Sequence, residues 1–335
     1  MVNRQAILDI PNALEATLAK APAEYAAVVR QVRWGEGPIY VVAGGGAAPL
    51  GLAASYAFEA FLGWPVVARP AEVLQNYTPS LARPRTVLLA ISAGGEDPGL
   101  EELAQVACRR GSTLVLLTTS PESPLARLTD KVLLVRAEGE GKSPVVRVCL
   151  HAALNYLASV AARVLKRPGP QQESQEREFE GLPAQLSWVL AQHAAAVRQL
   201  AAEAKRFERL SVVGGGFYHF PALDAACRLR EVGGVAAEGL EVTDFHPARR
   251  DSAALFISGS RCKAKKLVHH AAAEARVQGM QVLAITDGND RELAGRSDLG
   301  LLTPTLSEVA GGTLALFLAE WLAVEAARIP APSSS

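Results

Sequence analysis

Three side chains able to handle a proton or a charge lie close together in the second half of the chain: Asp224, Arg228 and Glu231. On a helix they fall at i, i+4 and i+7 and share one face, while Leu223, Ala226 and Leu229 turn toward a core. That face is open to two readings. It is a solvated Asp–Arg pair on an exposed surface, or a carboxylate base with a guanidinium that orients it or stabilises developing negative charge. Two glycine-rich segments in the first half, AGGGAA (Ala43–Ala48) and SAGGED (Ser92–Asp97), each follow an apolar run. Both would aim backbone N–H groups at an anion near a helix start; glycines in such places also serve as plain tight turns. Neither segment is a nucleotide motif, since Gly44, Gly46 and Gly51 miss the G-x-G-x-x-G spacing and no Gly-Lys-Ser/Thr follows. The hydroxyl-rich, basic SGSRCKAKK (Ser258–Lys266) reads as a second anion site or as a solvated helix start. Among the histidines, His151, His193, His269 and His270 fall on helical stretches and His246 on a loop. No His/Asp/Glu cluster has metal-ligand spacing, so neither a metal nor a cofactor is expected.

The elements that position these groups come in two sets. IYVVAGGG (Ile39–Gly46) is echoed by LSVVGGG (Leu210–Gly216), VLLAIS (Val87–Ser92) by ALFIS (Ala254–Ser258), and TLVLLT (Thr113–Thr118) by QVLAIT (Gln281–Thr286). LARLTDKVLL (Leu125–Leu134) is echoed by LAGRSDLGLL (Leu293–Leu302). The order and the offset are kept throughout, which marks an internal repeat. Short β-branched runs ending in glycine alternate with helical stretches, the pattern of buried parallel strands with helices on both faces. Gly111 and Gly279 close helices over Gly99–Arg110 and Lys263–Gln278. Each half then ends in an alanine- and leucine-rich helix, over Val145–Leu165 and Ser307–Ala327. The fold class is therefore α/β, with two tandem three-layer αβα domains, each a parallel sheet flanked by helices. The expected boundaries are 1–168 for the N-terminal helices and first domain, 169–183 for a Pro-, Gly-, Gln- and Glu-rich linker, and 184–335 for the second domain.

Composition narrows the function. Of 335 residues, 49% are hydrophobic and 20% charged, enough for two buried cores. Lys+Arg and Asp+Glu both total 34, so no net charge points to nucleic acid or an acidic membrane. The cysteines Cys108, Cys149, Cys227 and Cys262 form no CxxC pair and read as reduced thiols. The start of the chain has no signal-peptide pattern, and the apolar Thr313–Ala327 is interrupted by Glu320 and Glu325 and too short to span a bilayer. A cytoplasmic protein is expected, with no nucleic-acid or membrane partner.

These patterns resemble the tandem SIS (sugar isomerase) domain family, as in the isomerase half of glucosamine-6-phosphate synthase and in fructosamine-6-phosphate deglycases. The resemblance covers nearly the whole chain. Ala6–Leu18 is similar to the family's opening helix. GGGAAPLGLAASYAFEAFLGWP (Gly44–Pro65) is similar to its C-G-T-S loop and first helix. ISAGGED (Ile91–Asp97) is similar to I-S-Q-S-G-E-T, and ALDAACRLREVGGVAAEG (Ala222–Gly239) to A-L-E-G-A-L-K-L-K-E-I-S-Y-I-x-A-E. The resemblance implies a sugar or sugar phosphate as ligand, proton transfer through an enediol by Glu231, Arg228 in place of the family's lysine, and a homodimer. It implies substrate contacts at Gly45, Gly46, Ala47, Ser92, Ala93, Gly94 and Asp97, to which Ser143 is added, and makes His246 the candidate ring-opening histidine.

This chain departs from the family where the chemistry lies. The hydroxyl pair of the first loop aligns with Gly46 and Ala47, and in the second loop only Ser92 keeps a side-chain donor. Asp97 brings a carboxylate to that loop. It caps the helix, or it selects a ligand that lacks phosphate and carries an ammonium or hydroxyl. DFHP (Asp244–Pro247) is shorter than the family's E-x-x-H-G-P, and the terminal IPAPSSS (Ile329–Ser335) carries no lysine to close a site. Without a glutaminase segment, glutamine-dependent amination by this polypeptide is not expected. The favoured expectation is an isomerase or deglycase/deaminase of sugar phosphates or amino sugars. The alternative is a non-catalytic carbohydrate-binding regulator on the same fold; with no helix-turn-helix ahead of the first strand, a DNA-binding repressor is not expected.

Overall fold

The computed structural model describes residues 4–44, 49–77, 83–167, 172–247 and 252–330, with the side chains of 172–174 excepted. Two compact units arise, one of Asp9–Pro183 and one of Met1–Leu8 with Ala184–Ser335. The first holds a five-stranded parallel sheet of β1 (Ile39–Ala43), β2 (Val66–Ala68), β3 (Val87–Ile91), β4 (Thr113–Thr118) and β5 (Val132–Leu134), in the order β2-β1-β3-β4-β5. Around it lie α1 (Arg4–Gln31), α2 (Leu50–Leu62), α3 (Ala71–Tyr77), α4 (Pro98–Arg109) and α5 (Pro144–Val164). The second sheet contains β6 (Leu210–Gly214), β7 (Ala237–Glu241), β8 (Ala253–Ile257), β9 (Gln281–Asp287) and β10 (Leu299–Thr303), in the order β10-β9-β8-β6-β7. Its helices are α6 (Gln172–Ala204) from Ala184 onward, α7 (His219–Glu231), α8 (Lys265–Val277), α9 (Arg291–Arg296) and α10 (Glu308–Ala327). Read from the first strand of each set, the two sheets have the same order, and both are parallel sheets flanked by helices.

The strands are buried because their side chains are apolar on both faces. All five residues of β3 and of β8 are inaccessible, and the register Ile39↔Val87 through Ala43↔Ile91 aligns the ends of β1 and β3. Helix α4 starts where Asp97 Oδ1 accepts from Leu100 N at 3.0 Å and Pro98 occupies the first turn. Its exit passes through Gly111 at φ 88°, a left-handed conformation that glycine adopts without strain.

Two expectations need correction. Residues 172–183, read as part of an exposed linker, are the first part of α6. Glu, Gln and Arg favour a helix as readily as a loop, and Phe179, Leu182, Leu186 and Val189 recur on one stripe, all fully buried. The apolar stretch Thr313–Ala327, read as too short to span a bilayer, is part of α10 with its 20 residues, and α5 has 21. Both are long and apolar enough to cross a membrane, and an 18-residue apolar window of each is entirely buried within the protein. The two glutamates that interrupt α10 are also buried: Glu325 Oε1 accepts from Trp321 Nε1 at 3.2 Å, and Glu320 is fully inaccessible.

Within α5, burial pushes the His151 imidazole down to about 3. The folded chain therefore binds fewer protons than the unfolded chain below the ordinary histidine value, and stability is lost as pH falls from about 6.5 toward 3. Denaturant titrations should show about 2 kcal/mol less stability at pH 5 than at pH 7 from this residue. That increment should be absent in His151→Gln.

Candidate functional site

In an open α/β sheet a ligand sits beyond the carboxyl ends of the strands, where the strand order reverses. In the first unit that point lies between β1 and β3. Gly44 follows β1, with its N–H on Ile91 O at 2.8 Å; Gly45, Gly46 and Ala47 lie outside the described residues. Beyond β3, Ser92 and Ala93 are buried and Gly94 is exposed. Ser92 Oγ accepts from Gly95 N at 3.1 Å. The Ala93 carbonyl accepts from Thr118 Oγ1 and Thr119 Oγ1, each at 2.9 Å, which ties this loop to the end of β4. A side chain on Gly141 would come within 3.2 Å of the Ala93 methyl, so the segment ahead of α5 closes on the same loop. Half-buried Ser143 stands there at the N-cap of α5, its hydroxyl making no capping bond. Ser92, Ala93, Gly94 and Asp97 thus lie along one loop, a rim beyond the strand ends, and Ser143 stands two residues beyond Gly141, which approaches Ala93.

Asp97 does cap α4, as noted above, but with one oxygen only. Its Oδ2 lies 2.7 Å from where a side chain on Gly44 would begin, so the carboxylate also borders the β1 turn. Capping and a place at the rim coexist.

Gly95 shapes the rim most sharply. It has φ +66°, and a methyl there would sit 2.0 Å from Ser123 Oγ, itself pinned to Ser120 O at 2.9 Å and Ala126 N at 3.3 Å. Gly95→Ala should cost about 2–4 kcal/mol from the left-handed backbone and the broken Ser123 bonds. Chemical denaturation reads this, and adding Ser123→Gly should restore only the part due to collision.

The matching place in the second unit, between β6 and β8, is filled. A side chain on Gly215 would meet the Ala264 methyl at 2.8 Å and Val242 at 3.0 Å. Cys262 Sγ reaches the Gly215 carbonyl at 3.7 Å, and burial pushes this thiol up to about 12. The Tyr218 hydroxyl wedges against Gly259 and Gly311. Beside it remains a cavity of about 10 Å³, the space of one water. The anion-site reading of Ser258–Lys266 fails here for a physical reason: the protein supplies its own anion. Asp287 Oδ2 accepts from Ser260 N at 2.6 Å, and its Oδ1 from Asn289 N at 2.9 Å and Thr305 Oγ1 at 3.1 Å. Lys265 Nζ donates to Ser260 O at 2.7 Å.

On α7 two of the three polar-face residues are buried, and only Glu231 meets solvent. Asp224 is fully buried and Arg228 4% exposed, whereas Leu223, expected in the core, is only half-buried. The face turns inward because α10 supplies a counter-charge: Arg228 Nε donates to Glu320 Oε2 at 3.0 Å. Arg228 Nη1 also reaches Glu231 Oε2 at 3.4 Å, and Cys227 Sγ reaches Glu231 Oε1 at 3.5 Å. Glu231 itself keeps half its side chain exposed (51%). The arrangement is an accessible carboxylate held by a guanidinium that is anchored from below. Glu320 was legible only as a charge in an apolar helix; such a residue almost always needs a buried cation, and that rule was the available signal.

His246 is exposed on its loop, and no contact among the described residues joins it to Glu231 or Arg228. Among the described residues three histidines do meet carboxylates: His269 between Asp290 (2.8 Å) and Glu292 (2.9 Å), His270 beside Glu274 (3.2 Å), and His219, whose Nδ1 lies 3.1 Å from Glu241 Oε2 beyond β6 and β7. Burial, then the charge of Asp244, pushes the Glu241 carboxyl up. Burial pushes the His219 imidazole down, with Asp244 opposing. Nothing in the local sequence pairs these two residues; only the adjacency of the two strands does.

A sequence profile described as the SIS domain matches residues 34–162 and 205–327. Among curated proteins, the glutamine–fructose-6-phosphate aminotransferase (isomerizing) of Mycolicibacterium paratuberculosis is 31% identical over 208 residues, covering 60% of this chain and 32% of the relative. The chain thus spans about a third of that protein's length. Among solved structures, the C-terminal domain of glucosamine-fructose-6-phosphate aminotransferase from Francisella tularensis superposes with TM-score 0.86 at 16% identity, over 97% of this chain and 94% of that one. Tagatose-6-phosphate ketose/aldose isomerase from Escherichia coli superposes with TM-score 0.78 at 15% identity, over 97% and 92%. At such identities the likeness is one of fold.

Proposed function

The chain belongs to the SIS domain family, and from that premise we propose that it is an isomerase or deglycase/deaminase of sugar phosphates or amino sugars. Glu231 is the base that moves a proton between adjacent carbons of an enediol, and Arg228 orients it. Within the first unit, the loop Ser92–Asp97 with Ser143 is the candidate sugar-binding rim. One observation carries this reading: Glu231 is an accessible carboxylate whose partner guanidinium is locked in place by a buried charge. A base needs that combination of access and fixed orientation. The reading includes a homodimer in the cytoplasm, carried over from the family resemblance and checked by the mass of the particle in solution.

The test is hydrogen exchange. A panel of sugar phosphates, amino sugars and fructosamine phosphates is followed by NMR in D₂O with the purified protein. Deuterium entering at C1 or C2 of one of them supports the enzyme. Saturable binding without exchange across the panel overturns it in favour of a binding protein that does not turn over its ligand.

That second reading has its own support in the hydroxyls around the first-unit rim. Thr118, Thr119 and Ser123 all donate to backbone carbonyls, so side-chain donors for a phosphate are few. The charge at Asp97 bears on the same question. Asn caps a helix as well as Asp does, so Asp97→Asn keeps the fold and removes the charge. Calorimetric titration should then show several-fold tighter binding of a 6-phosphate than in the wild type. Weaker binding would mean that Asp97 recognises the ligand directly.

A further inference from the structure

The pairing across α7 and α10 points to a role for a residue that touches no substrate. We infer that Glu320 is the positioning residue of the site, holding Arg228 so that its guanidinium orients Glu231 without neutralising it. This rests on the reading of Glu231 as the base and adds the residue that sets its working state.

The argument begins with burial. Glu320 is fully inaccessible and lies in a helix whose other residues between Val309 and Val324 are almost all apolar. A lone carboxylate there is costly, and a well-packed apolar pair would fill the same space at no loss of stability. Fold stability alone therefore gives little reason for a charge pair at this place. Geometry suggests what the charge does. Arg228 presents two different nitrogens to two different carboxylates: Nε to Glu320 at 3.0 Å, and Nη1 to Glu231 at 3.4 Å. A guanidinium is planar, so fixing Nε to a buried, immobile acceptor also fixes the direction in which Nη1 points. The longer contact is with the accessible partner and the shorter one with the buried partner.

The charge count completes the inference. Arg228 donates to two carboxylates, Glu320 and Glu231, and a third, Asp224, is buried one turn earlier on the same helix, so the positive charge is already matched before Glu231 is counted. A lone arginine beside Glu231 would hold its carboxylate ionised and make it a poorer proton acceptor. An arginine balanced from behind still directs the carboxylate through Nη1. Among the described contacts, the polar groups facing Glu231 are Arg228 and Cys227 on its own helix, with Glu320 reaching Arg228 from α10.

Glu320→Gln separates this role from a structural one, because the amide oxygen can still accept from Arg228 Nε while the charge is gone. Two readouts apply. The first is the ¹³C NMR titration of the Glu231 carboxyl in labelled protein, its signal assigned by its loss in Glu231→Gln. We expect its midpoint to fall by about one unit in Glu320→Gln. The second is exchange of the sugar hydrogen, expected to drop about tenfold in kcat with KM nearly unchanged, as the base weakens. Glu320→Asp keeps the charge and one acceptor geometry on a shorter arm, and stays available if the glutamine variant does not fold. In it the Glu231 midpoint should stay within a few tenths of the wild type while kcat falls several-fold through misdirection. An unmoved Glu231 midpoint in folded Glu320→Gln, or an unchanged kcat in folded Glu320→Asp, overturns the inference. If wild-type protein exchanges no hydrogen with any sugar, the enzyme reading fails, while the carboxyl titration still decides whether Glu320 governs Glu231.

Discussion

Glu231→Gln is expected to lower the rate of hydrogen exchange on the sugar by about 10³-fold, the usual contribution of a positioned general base. The amide is close in shape to the carboxylate, can still accept from Arg228 Nη1, and cannot take a proton. Binding should change little, because the substitution leaves the first-unit rim untouched. A loss confined to kcat is therefore the expected signature, read from NMR exchange rates at saturating and at low sugar. A rise in KM at constant kcat would place Glu231 in ground-state binding and remove it from proton transfer.

Arg228→Ala should destabilise the folded protein by about 3–5 kcal/mol, because it removes the guanidinium that pairs with the buried charge of Glu320. Arg228 and Glu320 are both under a tenth exposed, so solvent gives little relief. Denaturant melts of three variants separate charge from volume. Arg228→Ala and Glu320→Ala should each lose stability by breaking the pair. Arg228→Met combined with Glu320→Leu should recover most of the loss, since a buried pair replaced by apolar groups of similar size is often neutral. Failure of the double variant to recover would mean that the arginine supports α7 through other bonds.

Much of the scaffold could be read from the residues alone, for a definite reason. Runs such as VLLAI and TLVLLT are apolar without alternation, and only a strand buried on both faces accommodates them. The glycines at Gly111 and Gly279 marked helix exits because their left-handed φ is cheap for that residue type only. The site was less legible. Spacing placed Asp224, Arg228 and Glu231 on one face, but could not say whether the face met water or another helix; that depended on Glu320, far away in sequence. The His219–Glu241 pair escaped notice for the same reason, since it exists only because β6 and β7 are neighbours. The segment 172–183 was misread because its polar composition suits both a loop and a helix, and only the buried stripe from Phe179 to Val189 decides between them.

The carboxylate of Asp287, seated on the N–H of Ser260, has a consequence for how the two halves answer to their surroundings. A molecule captured from solution gives up its freedom to translate and tumble, and its occupancy rises and falls with supply. A group tethered by the chain gives up none of that freedom and cannot be diluted. The second sheet therefore carries a permanent resident at the place where the fold would receive a visitor, and its occupancy does not depend on supply.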